Sequence, residues 1–396
     1  MTGSQSPFDD PGFLADPYPF YHRLRSADPV HWLPTPSPLG GMWLVTRYED
    51  AAGVLKDRRL SKDPAKAMPA AAQTQDTRSM LFRDPPDHTR LRAMVADAFT
   101  PKVVAGLRPH IEEITNYLLE RVESRGEMDV IADLALPLPV IVIAELLGVP
   151  EDDREKFRTW SEDVIQGSDA AYSDEQRRQR SEQANIELAK YFQDLVGLRR
   201  EVPQDDLISR LIEVEDSQGK LSEQDLIATC VLLVIAGHET TVNLLGNGTL
   251  ALLRHPDQLE WVRADVSLIP NAIEEMLRYD SPVQRATFRC TTEPVEIGER
   301  LIEPDQQVSA VIGAANRDPE QFPDPDRFEV KRTPNRHLAF GRGVHFCLGA
   351  SLARTEGEIA FRMLLERLPE LELAVSTPTW RANTVFRGLR ELPVRF

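Results

Sequence analysis

HLAFGRGVHFCLGASLAR, residues 337–354, sets one of only three cysteines, Cys347, in a glycine-rich loop just ahead of a helical pattern. Gly341, Gly343 and Gly349 permit tight turns and close backbone approach. The following LGASLARTEGEIAFRMLLERL has helical periodicity, so Cys347 is expected at a helix N-terminus. Free N–H groups and the positive end of the helix dipole favour a thiolate there, and a thiolate is a metal ligand. A lone cysteine is more often a small buried hydrophobe, and the loop by itself leaves that alternative open.

Bulk composition narrows the field. The chain has 396 residues, 41% of them hydrophobic, enough for a large core. The formal net charge of −17 argues against a nucleic-acid partner, because phosphate contacts need lysine and arginine. Cys230, Cys290 and Cys347 are odd in number and far apart, which fits a reducing compartment rather than a disulfide framework. The opening MTGSQSPFDDPGFLADPYPF has neither a basic n-region nor an apolar h-region, so no signal peptide is expected. The apolar run LALPLPVIVIAELLGV, residues 134–149, contains two prolines and Glu145 and is too short to span a bilayer. The expectation is a cytoplasmic protein with no membrane anchor.

The pattern along the chain is mainly α with a minor β portion. A strand is expected over residues 42–46 and a mobile loop over residues 62–82, which are rich in alanine, proline and polar residues. The longest helical signal covers residues 221–253 and opens on SEQD, where Ser222 and Asp225 suit a capping box. Its middle, CVLLVIAG, is apolar all round, so this helix is expected to run through the core. Another helix is expected over residues 269–279. No repeat or long linker appears, so residues 1–396 read as a single domain.

Within the long helix lies AGHETT, residues 236–241. Glu239 and Thr240 are costly guests in an apolar helix unless they have partners. Gly237 and Thr240 share a face, leaving a gap beside a hydroxyl. The alternative is a packing glycine and a threonine bonded to its own helix backbone. EEMLR puts Glu275 and Arg278 at i,i+3, which alone suggests an exposed ion pair. DPPDHTRLR offers His88 and Arg92 four apart on one helical face, and Arg289 lies in RATFRC.

The pattern FGRGVHFCLG resembles the haem-binding loop of the cytochrome P-450 family, with Phe340, Gly343, His345, Cys347 and Gly349 filling its positions. AGHETT is similar to that family's oxygen-activating segment, and the likeness covers nearly the full chain. The resemblance implies a mainly α cytochrome P-450 fold with the long helix passing over a haem b whose axial ligand is Cys347. It implies haem contacts from His88, Arg92, Ala236, Gly237, Arg289, Phe340, Gly341, His345 and Gly349. The helix would be distorted at Ala236 and Gly237, and Glu239 and Thr240 would form an acid–alcohol pair that delivers protons. A structural cluster of Glu275, Arg278 and, from FPDPDRF, Arg327 would lie under the haem.

The implied activity is a haem-thiolate monooxygenase that places one atom of O2 in a hydrophobic small molecule by hydroxylation or epoxidation, in the manner of bacterial secondary-metabolite hydroxylases. A peroxygenase or another haem-thiolate reaction is the nearest alternative, and a non-catalytic haem protein that binds a ligand is a different class. The intact Glu239–Thr240 pair is superfluous to both. The chain carries no flavin or nicotinamide fingerprint, so electrons are expected from a ferredoxin and its ferredoxin reductase. Arg90, Lys102, Arg342 and Arg354 are candidates to face that partner. Met80, Leu81, Leu233, Val234, Val283 and Phe386 would line an apolar substrate pocket, with the helix pair around residues 160–190 as a lid.

Overall fold

The computed structural model describes residues 11–35, 39–67, 79–167, 169, 175–218 and 222–396. Eight helices position the site: α1 (Asp87–Ala96), α2 (Pro101–Glu123), α3 (Pro137–Leu147), α4 (Arg154–Gly167), α5 (Glu175–Glu201), α6 (Glu223–Arg254), α7 (Ile269–Tyr279) and α8 (Ala350–Arg367). Five strands form the main sheet: β1 (Val30–Pro34), β2 (Gly41–Val45), β3 (Leu60–Ser61), β4 (Arg289–Thr291) and β5 (Gln307–Ala310), in the order β1-β2-β5-β4-β3. The mainly α expectation with a small β portion is met.

α6 begins where its sequence says it should. The Asp225 N–H donates to Ser222 Oγ at 3.1 Å, and the Ser222 N–H donates back to Asp225 Oδ2 at 3.3 Å. That reciprocal pair satisfies two otherwise orphaned donors. The helix stops at His255 because Pro256 opens the next one. Every residue from Thr241 to Leu252 is buried, since α3, α5, α7 and α8 all pack on this helix. By length and hydropathy α6 passes as a membrane span, but its apolar surface is spent on the core. Phe157, Phe192, Val242, Leu244, Ile273, Ile359 and Phe361 belong to this core, and Phe340 and Leu348 of the cysteine loop pack on its edge.

The sheet has its own smaller core, including Val30, Val45, Val308, Ala310 and Leu338. β2 runs parallel to β5, with Val45 opposite Ala310, and β4 runs antiparallel to β5, with Arg289 opposite Val308. β3 closes the edge against β4, with Ser61 opposite Cys290. Of the expected loop, residues 68–78 lie outside the described residues. Pro64–Ala67 is a short helix and Met80–Phe82 a single tight turn.

Glu275 and Arg278 are not a surface pair. Both are wholly buried, and Arg278 Nε lies 2.7 Å from Glu275 Oε2. The third arginine expected here, Arg327, is corrected to Arg332. Arg332 Nε reaches Glu275 Oε1 at 3.2 Å, whereas the Arg327 side chain is exposed. Arg327 contributes its carbonyl instead, which accepts from Arg278 Nη2 at 3.0 Å and from Arg332 Nη2 at 3.1 Å. Glu275 also accepts from the Glu329 N–H and from Asn335 Nδ2. A carboxylate with this many donors is tolerable in a dry interior.

Candidate functional site

The Cys347 loop folds as a hairpin pinned at its base. The Cys347 N–H donates to the Phe340 carbonyl at 2.9 Å. Gly343 has φ +74°, and a Cβ there would stand 2.9 Å from the Leu55 carbonyl oxygen, so the position requires glycine. At Gly349, by contrast, a Cβ would meet nothing within 4 Å, so the loop presents an open face there. Phe340 is fixed by Arg354, whose guanidinium lies 4.4 Å from the ring centre, and Arg354 is held in turn by both oxygens of Glu274.

Cys347 has accessible surface, yet burial is the largest influence on its thiol. The sulfur therefore looks into a recess, not into bulk water. Burial pushes the thiol up, against the opposing pull of the Gly349 N–H and the charges of Arg92 and Arg354. α8 begins at Ala350, so Cys347 stands just before a helix N-terminus, and the charge of a metal ion would add to the pull of the Gly349 N–H, Arg92 and Arg354 towards the thiolate.

α6 presents the AGHETT turn with no break in its helix, so the expected distortion at Ala236 and Gly237 is absent. Ala236 is exposed although it sits midway along a core helix, and so it too faces a recess. A Cβ on Gly237 would lie 3.0 Å from Ile143 Cγ1, so this glycine serves the close approach of α3 to α6. Thr240 Oγ1 donates to the Ala236 carbonyl at 3.2 Å. Glu239 adjoins Thr240 in sequence but is engaged elsewhere. Arg381 Nη1 reaches both Glu239 oxygens at 3.0 Å, and Asn243 Nδ2 donates to Oε1.

The remaining expected haem contacts converge. The His88 and His345 rings are 4.2 Å apart, centre to centre. His88 and Arg289 are buried, and His88 Nδ1 has no partner. Among the described residues neither Arg92 nor Arg289 forms an ion pair; Arg289 only approaches the Thr287 carbonyl at 3.5 Å. Burial leads the titration of these groups, and like charge adds to it at the two histidines. His345 is pushed down to about 2, by burial first and then by Lys62, His88, Arg289 and Arg92. Arg289 is lowered to about 10 by burial. His88 falls through burial and the charge of Arg92.

Glu356 was missed by sequence reasoning. It lies on the buried face of α8, is 1% exposed, and its Oε2 has no partner. Burial raises its carboxyl to about 8, against the lowering effect of the Thr241 hydroxyl. A glutamate in the apolar row Leu352, Thr355, Ile359 was the available signal. On the pocket side, Val283 and Phe386 pair as an isolated antiparallel bridge, Leu233 and Val234 are buried in the main core, and Met80 and Leu81 share one tight turn.

These residues fit a haem on three counts. The converging cations lack a counter-ion within the described chain, and haem carries two carboxylates. Cys347 and Ala236 both open on recessed space, and Gly349 leaves room in front of the loop. No group of three or more histidine, cysteine or acidic side chains gathers among the described residues, so an ion at Cys347 would draw its other ligands from a macrocycle.

Comparison with known proteins agrees. The family model for cytochrome P450 matches residues 40–269 and 260–378. Cytochrome P450 107B1 of Saccharopolyspora erythraea is 45% identical, covering 100% of this chain and 99% of its own. The cytochrome P450 monooxygenase PikC of Streptomyces venezuelae is 44% identical, over 97% of this chain and 92% of its own. The crystal structure of the myxobacterial cytochrome P450 CYP267B1 in complex with myristic acid superposes with a TM-score of 0.91 at 43% identity, covering 98% of each chain.

Proposed function

The chain belongs to the cytochrome P450 family and is a monooxygenase of small hydrophobic molecules; beyond that, we propose how its own residues serve the reaction. The observation that carries the proposal is the accessible Cys347 in its glycine-rich loop, with His345 against His88 beside it and Arg92 and Arg289 in no ion pair among the described residues. Cys347 Sγ would hold a haem b through its iron, and His88, Arg92, Arg289 and His345 would hold its two carboxylates, which would relieve their mutual repulsion. Haem bound there supplies the reduction of O2 and the insertion of one oxygen atom into the substrate.

The chain's part is to place protons. Thr240 Oγ1, exposed to the recess one turn from Ala236, is the hydroxyl that hands a proton forward. Glu356 retains its proton at neutral pH because burial raises its carboxyl, and Thr241 stands beside it as the adjoining hydroxyl on α6. Glu239 serves the same reaction only when it leaves Arg381, since both of its oxygens are committed.

The whole chain acts as one catalytic unit in the cytoplasm, and its role lies in secondary metabolism. Electrons reach the haem from a redox partner, which we take to be a ferredoxin with its ferredoxin reductase. Arg342 and Lys102 are better placed to meet it than Arg354, whose charge is neutralised by Glu274. The substrate is a hydrophobic small molecule. The bridge Val283–Phe386 and the turn at Met80 and Leu81 offer apolar walls, and the related CYP267B1 binds myristic acid.

Turnover with O2 and a ferredoxin pair tests the reading through Thr240→Ala. Electron consumption should continue while product per electron falls severalfold. Unchanged coupling would remove Thr240 from the proton path.

A further inference from the structure

Lys62 is 3% exposed, so its ammonium does not reach water as surface lysines do. It follows β3 directly, and extending the register by one residue from Ser61 opposite Cys290 sets it across from Arg289. Its ammonium donates to Thr287 Oγ1 and lies 5.5 Å from the centre of the Phe82 ring. An ammonium has three N–H donors, and a hydroxyl accepts only one of them.

No carboxylate pairs with the Lys62 ammonium among the described residues, and Asp63 and Asp84 are committed elsewhere. Asp63 faces Arg83 at 3.7 Å. Asp84 accepts from the Lys62 backbone N–H at 2.9 Å and from Ser61 Oγ at 2.5 Å, and it meets Lys66 at 3.5 Å. Burial depresses the Lys62 ammonium well below its ordinary range and the charge of Arg289 depresses it further, against a smaller opposing pull from Asp84. A buried cation facing other cations is unfavourable unless an anion joins it.

We propose that Lys62 and Arg289 together take one haem carboxylate between them, making Lys62 a haem-positioning residue on the sheet edge. The proposal rests on the haem reading above. It extends the set of carboxylate-holding residues, until now on α1, β4 and the cysteine loop, to the residue that follows β3, where Thr287 holds the ammonium.

The test uses the holoenzyme and Lys62→Met. Haem release to excess apomyoglobin should be on the order of tenfold faster, as expected for losing one charged hydrogen bond. The reduction potential should move in the negative direction, because a nearby cation favours the less positive ferrous centre. Lys62→Arg should restore both. Refilling each protein with haem dimethyl ester, which has no free carboxylate, should bring the release rates of wild type and variant together. If Lys62→Met does not accumulate, Lys62→Gln, which keeps a donor for Thr287, is compared in the same way. Equal release and equal potential in wild type and variant would overturn the proposal and leave a neutral amine bonded to Thr287. So would a wild-type preference for myristate over methyl myristate that vanishes in the variant while haem release is unchanged, since Lys62 would then hold a substrate carboxylate. A wild-type protein that binds no haem would overturn the functional reading itself, and the ferrous–CO spectrum reports that before any variant is made.

Discussion

Two buried clusters of charge in this molecule look alike in composition and differ in closure. At Glu275 one carboxylate meets Arg278, Arg332, Asn335 and a backbone N–H, and the arginines spend their other donors on the carbonyls of Asn316, Pro323, Pro325 and Arg327. Around His345 the opposite holds: Lys62, Arg92 and Arg289 converge with two histidines and find no carboxylate partner among the described residues. The first cluster is complete within the chain, so it holds the fold. The second is completed only by an anion from outside, so it holds a ligand. Buried charge is costly in either case, and the identity of the partner decides which role a cluster plays.

The largest effect is expected at the closed cluster. Glu275→Gln should cost about 3–5 kcal/mol of stability, the usual penalty for leaving buried charges unpaired. Denaturant unfolding measures it, and a loss below 1 kcal/mol would mean that the cluster is no more than a surface pair. At the open cluster, Arg289→Met should do the reverse. Haem affinity should fall roughly ten- to a hundredfold, the worth of one or two charged hydrogen bonds. Unfolding of the haem-free chain should not become easier, because a cation without a counter-ion has been removed. Equal losses in both measurements would erase the distinction between the clusters.

Glu356 lies between the two extremes, buried and half-satisfied. Its carboxyl, raised from 4.5 to about 8, binds a proton in the folded state that the unfolded chain has already released. Stability should therefore decline as pH rises from about 4.5 and level off above about 8. Glu356→Gln should flatten that slope, and an unaltered slope would mean that the carboxyl ionises freely. The smallest effect is expected at Arg327→Ala, within about 0.5 kcal/mol, because its side chain is exposed and its contribution is a carbonyl that alanine retains. A loss as large as that of Arg332→Ala would return Arg327 to the cluster.

How much of this was readable beforehand follows the local character of each signal. The cysteine loop, the capping box at Ser222 and the apolar length of α6 are contiguous patterns, and they were legible. The third arginine was not. Arg327 and Arg332 both lie in irregular chain, where no period tells which side chain turns inward. Gly237 read as a gap for a ligand because its neighbour Ile143 sits on α3, far away in sequence. The same holds for Glu239, whose partner Arg381 is 142 residues distant. Lys62 was hidden by register: only the pairing of β3 with β4 brings it opposite Arg289. Glu356 was one glutamate in a charged helix until the packing of α8 on α6 buried it.

The central claim is that the open cluster and Cys347 surround one haem, with the sulfur as its ligand. The ferrous–CO spectrum of the purified protein tests this most directly. The account predicts a thiolate-haem band at about 450 nm that disappears in Cys347→Ala. Its absence from the wild type, or its survival in the variant, would contradict the account.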